Sequence, residues 1–163
     1  MYQVGHYGVA LLLYTPLGAA VAMTGYEGAA VVGAVVCVAV STSPDLDHRV
    51  PMLDHRGRTH TIVFALIVGI GLAAATSVLI ASPSPIVDVG FVLFAFLVGT
   101  LSIGSHLLAD ALTPMGIRPF WPISQQKYTF EVTTAANPIA NYVLFALGVL
   151  AALAGVAIVT AVG

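Results

Sequence analysis

Five apolar runs of about 15 to 27 residues, almost free of charge, dominate this chain, and a helix needs only ~20 such residues to cross a ~30 Å hydrocarbon layer. Of the 163 residues, 59% are hydrophobic and 7% charged, where an ordinary soluble domain carries about a quarter charged. In hydrocarbon every backbone polar group must be satisfied inside its own segment, which leaves helices as the economical solution. The expected fold class is all-α: a polytopic transmembrane helical bundle of about five helices, with polar site loops on one face. The whole length, 1–163, reads as one membrane-embedded domain, without room for a soluble one.

The runs have different characters. The first extends from about His6 to Met23, and Pro16 inside it removes one helical hydrogen bond and predicts a kink. Nothing basic precedes this run and no small-residue cleavage pattern follows, so it reads as a retained span and not a signal peptide. The second, about Gly28 to Thr42, is short, ~22 Å at 1.5 Å per residue, and its far end should stop below the headgroups. The third runs from about Thr61 to Ala81 and closes on "SPSP", a turn. The fourth, about Ile86 to Leu112, is ~40 Å long, so its last turns should protrude or tilt. Residues 113–137 carry three prolines and the only Trp, as suits an irregular interfacial segment with an aromatic anchor. Asn137 as N-cap and Pro138 at the first helical position then start the fifth span.

Counting crossings gathers the chemistry. If His6 begins on one side, the second span returns to that side to deliver residues 43–60, and the fourth returns to deliver His106 and Asp110. All five histidines, His6, His48, His55, His60 and His106, therefore fall on one face, with Asp45, Asp47, Asp54 and Asp110; Glu27 and Asp88 fall on the other. The complete basic inventory, Arg49, Arg56, Arg58, Arg118 and Lys127, joins the histidines. The positive-inside rule then makes the site face and the N-terminus cytoplasmic and the C-terminus external, in a multi-pass protein of the cell membrane.

Residues 43–60, "SPDLDHRVPMLDHRGRTH", hold three Asp, three His and three Arg. In "PDLDH", Asp45 and Asp47 stand one residue apart with His48 adjacent, a set that suits one or two divalent cations because a cation supplies the charge the carboxylates lack. The plainer alternative is a polar loop whose carboxylates pair with Arg49 and Arg56. "HRGRTH" offers His55 and His60, five positions apart, with Gly57 allowing an unusual turn and Thr59 a candidate helix cap. That spacing is not the His pairing of a zincin protease. His60 opens the third helix as a candidate ligand, His55 is a candidate ligand or proton donor, and Arg56 can clamp an anion bidentately. Arg58 reads as ordinary positive-inside anchoring. "SHLLAD" puts His106 and Asp110 one turn apart on one helix face, as joint ligands or as a His and its orienting carboxylate; a solvent-capped polar pair is the plainer alternative.

Composition also excludes. The single Cys37 permits neither an internal disulfide nor a cysteine zinc site. A net charge of -2 without a basic tail argues against nucleic acid as a partner. Nothing in the sequence sets an oligomeric state.

"GH" near the start, "PDLDH", "HRGRTH" and "SHLLADALTPMG…WP" resemble, in the same order, the membrane-bound metal-dependent hydrolase family typified by the bacterial inner-membrane protein YdjM. The resemblance covers His6 to about Pro122 and implies a polytopic membrane protein with divalent-metal hydrolase activity. It carries His6, Asp45, Asp47, His48, His55, Arg56, Gly57, Thr59, His60, His106, Asp110, Thr113 and Pro114. Arg58 departs from it, since family members often have an aromatic residue there, and the linker between "PDLDH" and "HRGRTH" is short. The order of ligands is also loosely similar to that of zinc-dependent phospholipase C, which implies phosphoester hydrolysis at a membrane surface.

The resulting expectation is a hydrolase with one to three divalent cations, zinc first given the His-plus-carboxylate set. Asp45, Asp47, His60, His106 and Asp110 are the leading candidate ligands, followed by His6 and His48. Asp47 or His55 would transfer protons, Arg56 would hold a substrate phosphate, and water activated by the metal would be the nucleophile. The lipid bilayer is the environment, and a lipid or phosphorylated small molecule the substrate. The competing class is a non-catalytic metal-binding or ion-transporting membrane protein, which should carry polar residues through its spans; these spans hold little beyond scattered Ser, Thr, Cys37 and Asn141.

Overall fold

The computed structural model describes residues 1–49, 57–80 and 82–162, with the backbone alone for His48 and Arg49. Among the described residues five helices follow one another: α1 (Gln3–Ala22), α2 (Glu27–Val40), α3 (Ile62–Leu79), α4 (Pro85–Ala111) and α5 (Pro138–Val162). A 3-10 turn, Ser43–Arg49, extends the chain beyond α2. All five are long and apolar enough to cross a membrane once α2 is taken together with that turn, Glu27–Asp47. The fold class is all-α and the protein is a multi-pass membrane protein. Val63, Ile67, Ile70, Leu147, Leu150 and Leu153 point outward from α3 and α5, a surface that lipid tails cover and water would penalise.

α1 lies against α5, α2 and α4, while α3 packs on α4, so α4 sits between α3 and the remaining helices. Hydrophobic burial does little to join helices already in hydrocarbon; close backbone approach does more. A Cβ at Gly8 would strike the backbone of Leu144, and one at Gly148 the backbone of Gly8. On the other flank a Cβ at Gly99 would come within 2.8 Å of Gly69 Cα. These two crossings fix α1 on α5 and α3 on α4, the pairs that carry His6 and, on the other side, His60 and His106.

The helix ends agree closely with the hydropathy pattern, and their caps explain where they fall. Asn137 Oδ1 accepts from Ala140 N–H at 3.2 Å, the cap predicted ahead of Pro138. Thr59 does not cap α3, however. Thr61 does, accepting from Phe64 N–H at 3.1 Å, because Thr59 Oγ1 instead donates to Asp47 Oδ2 at 3.1 Å. The segment after α4 makes only an isolated antiparallel bridge, Ile117 with Tyr128, and then doubles back. Phe130 N–H donates to Ala111 O at 2.7 Å and Val132 N–H to Leu112 O at 2.9 Å. Carbonyls that a helix end leaves unpaired are thereby satisfied, and the end of α4 that bears His106 and Asp110 is held.

Candidate metal centre

Side chains from four places meet at one end of the bundle. His6 comes from the first turns of α1, Asp45 from the 3-10 turn, His60 from the residue before the α3 cap, and His106 and Asp110 from the last two turns of α4. His6, His60 and His106 are fully buried and Asp110 is 1% exposed. Asp45 is the open edge, 28% exposed.

Ligand-type atoms of Asp45, His60, His106 and Asp110 lie within 4.8 Å of one another. His60 Nε2 is 3.6 Å from Asp45 Oδ1 and 3.5 Å from Asp110 Oδ2. His106 Nε2 is 3.5 Å from Asp45 Oδ1 and 3.6 Å from Asp110 Oδ2. The two Nε2 atoms are 3.1 Å apart. A tetrahedron with metal–ligand bonds of 2.0–2.2 Å has edges of roughly 3.3–3.6 Å, so these separations suit a single divalent cation between two imidazoles and two carboxylates. The ring nitrogen His106 Nδ1 and both ring nitrogens of His6 have no hydrogen-bond partner among the described residues.

Asp47 stands elsewhere. Its Oδ2 lies 3.5 Å from His60 Nδ1, on the far side of the ring from the cluster, and Thr59 Oγ1 lies beside the pair, 3.1 Å from Asp47 Oδ2 and 3.0 Å from His60 Nδ1. A carboxylate behind an imidazole fixes its tautomer and leaves the other nitrogen with a lone pair to donate. Burial is the main cause holding the His60 pKa below its ordinary value, with the neighbouring Asp45 opposing it; the neutral ring is the form that ligates.

The 3-10 turn Ser43–Arg49 holds the backbone of His48. His55 and Arg56 lie outside the described residues. Arg58 reaches over the Trp121 ring, 5.4 Å from its centroid, a cation–π contact that ties the "HRGRTH" segment to the loop after α4. The amino group of Met1 donates to Asp110 Oδ1 at 3.2 Å.

One residue in the framework of the site was readable only as an isolated polar side chain. Asn141, fully buried on α5, accepts from Tyr2 N–H at 2.9 Å and donates to Ala135 O and Asn137 O, which anchors the start of α1 four residues before His6. A lone Asn in an apolar span was its only signal.

The model of the YdjM inner membrane protein family matches residues 1–162. The chain belongs to that family. The match spans all five helices and every residue of the cluster, and it carries no link to phospholipase C. Neither the curated proteins nor the solved structures compared with the chain gave a match. Within this YdjM family member, a His/Asp cluster able to hold a metal ion is thus built where three chain segments meet.

Proposed function

We propose that this protein is a membrane-bound hydrolase dependent on a divalent cation, zinc first, and that it cleaves a phosphoester of a lipid or lipid-linked substrate. The observation that supports it is the convergence of Asp45, His60, His106 and Asp110 within 4.8 Å at the end of a bundle that is otherwise apolar. Ionisable groups at such depth are costly and are retained for function. When bound, a divalent cation supplies Lewis-acid polarisation of a substrate oxygen and activation of water.

The chain's own residues take distinct parts. Asp45, His60, His106 and Asp110 hold the cation, with His6 and His48 as further candidates. Asp47 acts through His60, keeping the Nδ1 proton on its own side. Asp45, the exposed member, faces the route by which substrate reaches the site. His55 and Arg56 are assigned from the sequence: His55 to proton transfer, Arg56 to a substrate phosphate. The preference for a lipid phosphoester rests on the level of the site in the bundle, with the loose likeness of ligand order to phospholipase C read from the sequence as an analogy alone. Orientation rests on the basic residues, and puts the site and N-terminus in the cytoplasm.

A conduit for ions is less well supported. Below the site the Ser102 hydroxyl donates to Cys37 O at 2.6 Å and the Ser105 hydroxyl to Ser102 O at 2.7 Å, so both are engaged by backbone and do not form a relay.

The test is hydrolysis by the purified protein, with and without chelator, on a panel of phosphodiesters and phospholipid vesicles, beside His106→Ala. Chelator-sensitive turnover that the variant lacks is the expected result; equal rates with chelator, or in the variant, would refute the assignment. A reporter fused after Gly163 should read as external, and a cytoplasmic signal there would reverse the orientation.

A further inference from the structure

The two carboxylates of the cluster divide their oxygens between two places. Asp45 Oδ1 and Asp110 Oδ2 face the His60–His106 pair, at 3.5 to 3.6 Å. Their other oxygens face His6: Asp45 Oδ2 lies 3.9 Å, and Asp110 Oδ1 3.8 Å, from His6 Nε2. The same division in both residues leaves His6 beside the first cluster with a carboxylate oxygen from each.

Two further observations point to a ligand there. His6 is fully buried, and neither ring nitrogen has a hydrogen-bond partner among the described residues, a state that costs free energy until a partner arrives. His6 also stacks on His106, ring centroids 4.0 Å apart and planes 6° from parallel. Both Nε2 atoms face the same two carboxylates, so the stack sets two lone pairs side by side, one ring spacing apart. Paired catalytic cations sit about 3.5–4 Å apart, which is that spacing.

Resting on the metal-site reading above, we propose that the site holds two divalent cations bridged by Asp45 and Asp110, the first on His60 and His106 and the second on His6. The second has fewer protein donors, His6 Nε2 and one oxygen from each carboxylate, and so keeps positions open for water or a substrate oxygen. In two-cation sites one ion faces the attacking and the other the leaving oxygen of a displacement at phosphorus, and phosphoesters are the substrate class this geometry takes.

The test is manganese stoichiometry and electron paramagnetic resonance on the full chain in detergent, stripped and reloaded with Mn(II) alone. Wild type should bind two per chain with the signature of an exchange-coupled pair. His6→Gln should bind one, with the uncoupled signal of an isolated ion, and the retained ion reports that the three segments bearing Asp45, His60, His106 and Asp110 still assemble. One uncoupled ion per wild-type chain would overturn the two-cation proposal while leaving the metal site standing, a result that needs no variant to fold. Two coupled ions in His6→Gln would overturn the role of His6. No bound manganese in wild type would remove both this proposal and the metal-site reading.

Discussion

The two ends of the bundle are built from the same kinds of helix and differ in what they bury. At one end, His6, His60, His106, Asp47, Asp110, Thr61, Thr113 and Asn141 are all buried, crowded where α1, α3 and α5 begin and α4 stops. At the other end Glu27 is exposed, and Asp88 Oδ1 accepts from Ser82 N–H at 2.8 Å to close the turn before α4. A carboxylate at the second end finds water or a backbone donor, whereas carboxylates at the first face one another and three imidazoles. Topology permits both arrangements; carboxylates gathered with imidazoles at one end are what could hold a cation.

The sharpest way to break this contrast is Asp110→Asn. Saturating zinc or manganese should stabilise wild type by about 2.7 kcal/mol when free cation is 100 times the dissociation constant, seen as a rise in thermal midpoint. The variant should show no rise. Next, Asp47→Asn should weaken cation affinity by roughly 10- to 100-fold without abolishing it, as expected for a group that orients a ligand; titration calorimetry separates that from total loss. Gly148→Leu should cost about 1–3 kcal/mol by forcing α1 away from α5, measured by denaturation of the stripped protein. Smallest of all, Glu27→Gln and Asp88→Asn at the opposite end should each shift stability by no more than about 0.5 kcal/mol and leave cation affinity unchanged. If these two moved affinity as much as Asp47→Asn, the functional difference between the ends would disappear.

Much of the architecture was legible because hydrocarbon imposes a simple code: run length gave five spans, and counting crossings put His6, Asp45, His60, His106 and Asp110 on one face. Asn137 and Pro138 marked the start of α5 because cap chemistry is local. What could not be read depends on side-chain direction. Asp45 and Asp47 are near neighbours in "PDLDH", yet the 3-10 turn sends one into the cluster and the other behind His60. A spacing of two cannot say which, since a strand, a helix and a 3-10 turn each direct that pair differently. Thr59 and Thr61 posed the same problem. Either can cap a helix, and the choice fell to Thr61 because Thr59 lies within reach of Asp47. The partition of carboxylate oxygens between His6 and the His60–His106 pair leaves no mark on the sequence at all.

Metal content bears most directly on the central claim that this end of the bundle is a divalent-cation site. Wild type purified from metal-replete cells, desalted and analysed for bound metal, should carry at least one divalent cation per chain, and His106→Ala prepared in parallel should carry far less. Equal and negligible metal in the two preparations would contradict it.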